Sequence, residues 1–526
     1  MKVFDRSEVA MMDRRDFVQS MLVLGAAAGL RPTTVLFGFP PSSELRDLAD
    51  AALAAAKAAG ASYADIRINR YRNQFIFTRD RRVQNIVNTE SYGFGVRVIV
   101  EGTWGFSSSS NVTKEEIARV AQHAAAIAKA NRRLNAEPVR LAPVPAYETT
   151  WNTPVEKNPF EMPLQPKLDL LLQIHEEALK VTGASFVSAA MQFVNEQKYF
   201  ASSDGSHIEQ SLIRSYPSFS VTSVDRSTGK FYSRAALTAP MGRGYEYIES
   251  YPLLEEARLA AEEAVAMHKA KPAPAGRKTL ILHPTNLWLT IHESVGHSTE
   301  LDRALGYEAN YAGTSFLTTD KLGKFEFGSK IVNLVGDKTQ DGGIATCGYD
   351  DDGVKTSRWH LVKDGVFVDY QTTRDQAHLI NQKESHGCSY ADSWGSIPFQ
   401  RMPNVSLEPG ERNVTEQDVI SATDDGVYVK GDSSFSIDQQ RYNFQFSGQT
   451  FWEVKNGKIT TQLRDLAYQA NTPEFWKSCD MVGGKSTYLL GGAFSDGKGQ
   501  PAQSNSVSHG SPITRFARVN ILNTGR

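Results

Sequence analysis

The segment Lys271–Gly276 reads Lys-Pro-Ala-Pro-Ala-Gly and divides the chain into two differently patterned halves. Proline and glycine interrupt regular structure, so the segment predicts a linker. Before it, alanine-rich helical stretches alternate with β-branched runs; after it, short strands alternate with Gly, Asp and Ser turns. The pattern predicts an α+β fold. An N-terminal α+β domain at 41–275 is followed by a β-rich C-terminal domain at 276–526.

Apolar periodicity and end signals locate the elements of the first half. A Thr113–Glu116 capping box opens one helix, which runs to about Asn131, and Ser203–Gly205 predicts a turn between two strands. The other predicted helices are Leu45–Ala59, Lys167–Val181 and Leu253–Lys269. The predicted strands are Ala64–Tyr71, Phe75–Thr78, Arg82–Asn88 and Gly93–Val100.

Charge and cysteine content exclude several classes of protein. The net charge is −2 and no basic patch stands out, so we expect no nucleic-acid partner. Three cysteines are too few for a disulfide framework. One bridge is possible in an oxidising compartment, but an odd count leaves at least one free thiol or metal ligand. For Cys347 and Cys388, buried free thiols are the prediction.

The N-terminus is typical of an export signal. Arg14 and Arg15 precede an apolar run of 13 residues, Val18–Leu30, which includes the small residues Ala26–Ala28. A membrane span needs roughly 20 residues, so no stable span is predicted. Residues 1–40 are interpreted as a Tat-type signal, which would place the protein in the periplasm or another extracytoplasmic space. The alternative is an ordinary amphipathic helix in a cytoplasmic protein.

One segment of the second half contains the candidate metal ligands and the candidate catalytic base. After the strand-like Thr279–Leu282, the residues Pro284–Asn286 predict a helix start, and Leu287–His297 predict a helix that enters a site. His292 and His297 offer two imidazole ligands for zinc. A metal ion lowers the pKa of water towards ~7, and Glu293 is placed to act as the base that accepts its proton.

The spacing of the two histidines demands a distorted helix. They stand at i and i+5, which is about 140° apart on an ideal helix, so both cannot reach one ion from a straight helix. One extra residue in a π-bulge would bring them together. Gly296 beside His297 would ease that strain or end the helix.

Several ordered motifs resemble the TldD/PmbA (modulator of DNA gyrase) metallopeptidases. The segment Thr279–Leu282 followed by His292–Asp302 is similar to the metal-binding segment of that family. Further similar segments, spread along the chain, are Gly93–Phe106, Tyr349–Thr356, Gly426–Val429, Phe446–Gly448 and Asp496–Pro501.

The resemblance implies that His292 and His297 bind one Zn²⁺ per chain and that Glu293 is the catalytic base. It also implies a TldD-like subunit, since the TldE (PmbA-like) branch lacks the metal motif. Family members act on unfolded or extended peptides, which they hold by strand addition inside a dimer cavity. We therefore expect a peptide substrate and either a homodimer or a heterodimer with a TldE/PmbA-like subunit.

The third metal ligand is where the sequence departs from the family pattern. A cysteine of the family stands where this chain has Asp496, before Gly497–Pro501. A carboxylate also binds zinc and would make the site more tolerant of oxygen-preferring metals such as manganese. Cys479 and His509 are the rival ligands. Without a ligand role, Asp496 is a turn residue and Cys479 a buried thiol.

Other assignments stay open at this point. Glu300 and Asp302 are either partners that orient an imidazole or part of a solvated face. Asp350–Asp352 are more typical of an exposed turn than of a second cation site. Two other functions also compete, a non-catalytic peptide-binding or processing-partner subunit of the same family and an extracytoplasmic carbohydrate- or ligand-binding β protein.

Overall fold

Two large sheets organise the chain, one built before residue 271 and one from there onward. The structure, a computed structural model, describes residues 39–134 and 137–525. The predicted export signal at 1–40 lies outside the described residues, apart from its last two. The helices of the first half are α1 (Ser42–Ala58), α2 (Lys114–Asn131), α3 (Leu164–Leu179), α4 (Tyr245–Ser250) and α5 (Leu253–Ala266). The strands are β1 (Tyr63–Arg79), β2 (Arg82–Val100), β3 (Thr103–Ser109), β4 (Glu148–Asn152), β5 (Ala184–Ser202), β6 (His207–Val224) and β7 (Phe231–Ala235).

The first sheet has the strand order β3-β2-β1-β5-β6-β4, and β7 also pairs with β6. The sequence predicted four short strands where the structure has only β1 and β2. That prediction was wrong because pairing continues through the polar middle of both strands and, after one register shift between Phe77 and Thr78, reaches Arg79 and Arg82. Asp80 and Arg81, with φ of 49° and 61°, form the tight turn between them.

The helices of this half pack on the sheet through alanine and leucine faces. Apolar residues of α3 and α5 share a core with β5 and β6. The predicted cap of α2 is half formed: Thr113 Oγ1 accepts from the Glu116 amide at 3.3 Å, but the Glu116 carboxylate bonds Arg119 instead. The predicted turn is confirmed, with Gly205 at a φ of 95° between β5 and β6.

The second half is rich in short strands, as predicted. Its helices are α6 (Pro284–Ile291), α7 (Leu301–Ala304), α8 (Glu416–Ser421) and α9 (Thr472–Lys477). Its strands are β8 (Lys271–Pro272), β9 (Gly276–Leu282), β10 (Leu334–Asp337), β11 (Arg358–Lys363), β12 (Val366–Phe367), β13 (Ser389–Tyr390), β14 (Phe399–Gln400), β15 (Asn404–Leu407), β16 (Asp425–Ile437), β17 (Asn443–Lys455), β18 (Lys458–Arg464), β19 (Leu466–Asn471), β20 (Cys479–Val482), β21 (Leu489–Lys498), β22 (Gln503–Ser511) and β23 (Thr514–Asn523). The α+β fold class is confirmed.

Five of these strands close into a ring. The order β16-β9-β23-β19-β17 is completed by a further pairing of β16 with β17. The hairpin β21–β22 is separate, and α6 packs between it and β16. A helix buried between a ring and a hairpin has little freedom to shift, because protein interiors are close-packed.

The predicted linker is partly built into the second sheet. Lys271–Pro272 pairs with the end of β18, and the Ala273 amide donates to the Arg464 carbonyl at 2.9 Å. Ala273 is also buried. The segment is therefore attached to the second sheet and is not a free linker.

The prediction of an exposed acidic turn at Asp350–Asp352 was wrong. All three side chains are buried. Arg97 of β2 donates to Asp352 at 2.6 Å and to Asp65 of β1 at 2.7 Å. Buried charges persist only when paired, so this network fixes the turn against the first sheet.

The helices of the described residues include none that is both long and apolar enough to cross a membrane.

We expect Arg97→Met to destabilise the chain by about 3–5 kcal/mol, since two carboxylates would stay buried without their cation. The measurement is the midpoint of thermal unfolding of the full chain. The matched control is Arg119→Met, because that exposed arginine pairs with Glu116 at the surface and should change the midpoint little. Equal shifts for the two variants would contradict a structural role for the network.

Candidate functional site

Helix α6 starts where β9 leaves the sheet. His283 caps it by accepting from the Thr285 amide at 3.3 Å, and Pro284 occupies the first turn. The helix start predicted at Pro284–Asn286 is confirmed, since the helix begins at Pro284. Asn286 donates to two carbonyls of neighbouring strands, Gly431 at 2.8 Å and Ser447 at 2.9 Å. The helix is thus fixed to the ring before it reaches the histidines.

The π-bulge predicted from the histidine spacing is present. Residues His292–Gly296 form one π-helical turn, and the His297 amide donates to the His292 carbonyl. The turn places the two imidazole rings with centroids 4.7 Å apart. Gly296 is required by packing, since a Cβ there would lie 2.5 Å from Met402 Sδ.

Asp496 completes a three-donor arrangement. Its Oδ1 lies 3.6 Å from His292 Nε2 and 3.6 Å from His297 Nε2. Ligands at about 2.1 Å around a tetrahedral ion stand roughly 3.4 Å apart, close to these separations. Burial lowers the pKa of His292 to about 3 and that of His297 well below its ordinary value, and Arg441 adds to both effects. Two neutral imidazoles and a carboxylate that converge in this way fit a divalent metal ion.

His509 lies behind His292 and fixes its tautomer. His509 Nδ1 is 2.8 Å from the Val405 carbonyl, which can only accept, so Nδ1 carries the proton. His509 Nε2 must then accept from His292 Nδ1, at 2.8 Å. His292 Nε2 is left with a free lone pair directed at the three-donor site. His509 therefore orients a ligand, a role that differs from the one weighed for it from the sequence.

Glu300 performs the same task for His297. Its Oε2 lies 3.2 Å from His297 Nδ1 and accepts from Arg303 Nε at 2.8 Å. Lys498 stands 3.2 Å from the other oxygen. Burial raises the pKa of Glu300, but Lys498 and Arg303 outweigh it and hold the pKa well below its ordinary value. Arg303 Nη2 also approaches His297 Nδ1, yet an ionised Glu300 keeps the proton on Nδ1 and leaves Nε2 free. Asp302, the other residue weighed for this role, pairs with Lys498.

Glu293 faces the same site from the bulge. Its carboxylate and the two imidazoles offer atoms within 4.8 Å of one another. Arg441 Nη1 bonds Glu293 Oε2, which leaves Oε1 for a proton. Burial raises the pKa of Glu293 to about 7, Asp496 adds to the rise and Arg441 opposes it. A carboxylate with a pKa near neutrality suits proton transfer.

No motif or spacing in the sequence indicates the cations around the site. Arg401 donates to the second oxygen of Asp496 at 3.3 Å and also bonds the Asp496 carbonyl. Arg401 and Arg441 lie on segments far from the histidines in the chain, so no spacing links them to the motif. The contacts of Cys479 are elsewhere: it lies on β20, paired with Phe516, and its carbonyl accepts from Ser329. All three cysteines are buried and free.

Comparison with known proteins gives a consistent result. Three domain profiles match, described as PmbA/TldA metallopeptidase domain 1 at 64–128, central domain at 157–268 and C-terminal domain at 275–523. A metalloprotease of Methanocaldococcus jannaschii is 27% identical, covering 84% of this chain and 93% of its own. The zinc metalloprotease TldD homolog of Saccharolobus solfataricus is 23% identical over 88% of this chain and 97% of its own.

Solved structures share the fold. TldE from Thermococcus kodakarensis superposes with a TM-score of 0.70 at 16% identity, over 91% of this chain and 100% of its own. A Thermotoga maritima protein described as a candidate modulator of a DNA gyrase gives a TM-score of 0.72 at 18% identity, over 91% and 100% of the two chains.

We expect His509→Phe to weaken metal binding about 10- to 100-fold, because His292 loses the acceptor that fixes its tautomer. Competition with a chromophoric chelator measures the affinity. His360→Phe is the matched control, since His360 pairs with Glu408 outside the site. Unchanged affinity in His509→Phe would show that the hydrogen bond does not tune the ligand.

Proposed function

The chain belongs to the PmbA/TldD metallopeptidase family, and from that premise we propose that it is a zinc-dependent peptidase with Glu293 as general base. The observation that carries the proposal is the convergence of His292 Nε2, His297 Nε2 and Asp496 Oδ1 at one buried point. These three residues would hold the ion. When bound, zinc would act as a Lewis acid and lower the pKa of a water molecule.

Two observations support zinc as the metal. Imidazole nitrogen with one carboxylate oxygen is a known catalytic zinc donor set. The Saccharolobus solfataricus relative also bears the name of a zinc metalloprotease. An oxygen ligand in place of sulfur makes the donor set chemically harder, in the hard–soft acid–base sense. Manganese, which prefers oxygen ligands, is therefore the first competing metal to test.

Glu293 moves the proton in this proposal. Arg441 holds Oε2, so Oε1 accepts a proton from the attacking water and delivers it to the leaving amine. Arg441 also keeps the carboxylate turned into the site. Because Glu300 and Arg401 hold His297 and Asp496, the donors need little rearrangement when substrate arrives.

The proposed substrate is an unfolded or extended peptide. Among the described strands, β21 pairs only with β22, so its other edge has no strand partner. A peptide that adds to such an edge is bound through its backbone, irrespective of sequence. The likeness to TldE supports a dimer, either of two copies or with a TldE/PmbA-like subunit, that encloses the peptide.

The proposed location is extracytoplasmic. The support is the twin arginine at Arg14 and Arg15, followed by a short apolar run. Export of a folded chain would allow the metal to be loaded beforehand.

We expect Glu293→Gln to keep metal and peptide binding and to lose peptide hydrolysis by about 100-fold or more, since the amide cannot accept the proton. Metal content by elemental analysis and cleavage of an unstructured peptide are the measurements. Glu326→Gln, at an exposed glutamate, is the control. Hydrolysis at the wild-type rate in a metal-replete Glu293→Gln variant would contradict the role of Glu293 as the general base. Absence of metal from the wild-type chain would instead favour a non-catalytic subunit.

We expect Asp496→Ala to lower the zinc affinity by at least about 100-fold. This loss is larger than the one expected for His509→Phe, which removes only a residue that orients a ligand. Asp496→Cys should regain zinc and lose manganese, because a thiolate is a softer ligand. Competition titrations with both metals test this, and Asp480→Ala, at an exposed aspartate, is the control. Wild-type affinity in Asp496→Ala would remove Asp496 from the ligand set.

A further inference from the structure

A groove of about 500 Å³ is lined in part by Trp288, whose ring also contacts His292 and His509. Its walls come from β21, from the 235–239 segment and from the start of α6. Its lining includes Tyr216, Leu237, Trp288, Asp432 and Phe494.

The Trp288 ring and strand β21 connect the groove to the metal site. The Trp288 ring stacks on His509 at 6.2 Å between centroids and meets His292 edge-on at 6.4 Å. Strand β21 runs along the groove from Gly491, where a Cβ would lie 2.3 Å from the Trp288 ring, to Asp496. A peptide lying along β21 would therefore place a residue in the groove while its backbone reaches the site.

Asp432 is the single charged residue among the described residues that line this groove. Its Oδ1 accepts from Trp288 Nε1 at 3.2 Å. No ion pair joins it to any cation of the described chain. Burial raises the pKa of Asp432, and no positive charge opposes the rise. A half-buried carboxylate without a counter-ion is costly, and a cationic ligand removes that cost.

Two cationic side chains of neighbouring segments contact groups other than Asp432. Lys430 lies over the rings of Tyr428 and Trp452. Arg234 pairs with Glu256 at 3.3 Å and with Glu263 at 2.7 Å. Neither neutralises Asp432, so the charge stays available to a ligand.

The other walls suit the same ligand. Trp288 and Tyr216 line it with aromatic rings, which can attract cations, and Leu237 and Phe494 offer apolar surface for a methylene stem. An anionic group would be repelled by Asp432. A purely apolar group would bury the carboxylate further without compensating its charge.

We propose that this groove is a specificity pocket for a cationic group of the peptide, with Asp432 as its counter-ion. The group is an ammonium or guanidinium, supplied by a Lys or Arg side chain or by the free α-amino terminus. The proposal rests on the proposed peptidase function, and it adds side-chain selection to backbone-directed binding.

The test uses matched peptides on the full, zinc-loaded chain. An unstructured Ala/Gly-rich peptide carries one Lys at successive positions, and its partners carry norleucine there. Each peptide is made with a free and with an acetylated N-terminus, which separates the two sources of positive charge. We expect about 10- to 100-fold higher kcat/KM for a cation at one position, and we expect Asp432→Asn to abolish that preference. The asparagine keeps the acceptor for Trp288, so the variant should still fold.

A binding measurement separates this inference from the catalytic one. Fluorescence anisotropy compares the same peptides on Glu293→Gln and on Glu293→Gln/Asp432→Asn. A cation preference that disappears with Asp432 supports the pocket even if the wild-type chain hydrolyses nothing. Asp424→Asn, at an exposed aspartate just before β16, is the control and should keep the preference. Equal effects of Asp432→Asn on Lys and norleucine peptides, or no preference in the wild type, would overturn the proposal.

Discussion

The hydrogen bond from the His297 amide to the His292 carbonyl is the constraint on which the site depends. It widens one turn of a buried helix, and the widening turns two histidines at i and i+5 onto one point. A straight helix would separate them by about 140°. π-turns are rare, so the surroundings must stabilise this one. Asn286 fixes the start of the helix to the ring, and Met402 fills the space that a side chain at position 296 would need.

Around that turn, each of three carboxylates forms an ion pair with a lysine or an arginine. Glu293 is held by Arg441, Glu300 by Arg303 and Lys498, and Asp496 by Arg401. The imidazoles stay neutral because burial opposes their protonation. Nε2 of each histidine and Oδ1 of Asp496 are then left to bind an ion, and Oε1 of Glu293 is left to accept a proton. The low dielectric of the site makes each of these pairings strong, and an unpaired group there would be costly.

The sequence predicted the site features that arise within one segment. It did not predict the contacts between residues that are distant in the chain. If both histidines bind one ion, their spacing predicts a distorted helix such as a π-turn, because helical geometry is fixed. The role of Glu300 was within reach of sequence analysis because Glu300 follows His297 by three residues. The roles of Arg441, Arg401 and His509 were not, since they arrive on strands and loops more than a hundred residues away. The buried Asp350–Asp352 turn was misjudged for the same reason, as its partner Arg97 belongs to the other sheet.

Asp496 is best understood together with Arg401. The family pattern places a cysteine at this position, and a thiolate has one donor atom that the ion alone satisfies. A carboxylate has two oxygens, so one would remain buried and unpaired beside the metal. Arg401 binds that second oxygen and also the backbone carbonyl of Asp496, which keeps Oδ1 towards the histidines. In the proposed site, Arg401 therefore meets a need that a thiolate would not have, and Asp496 and Arg401 would act as one unit.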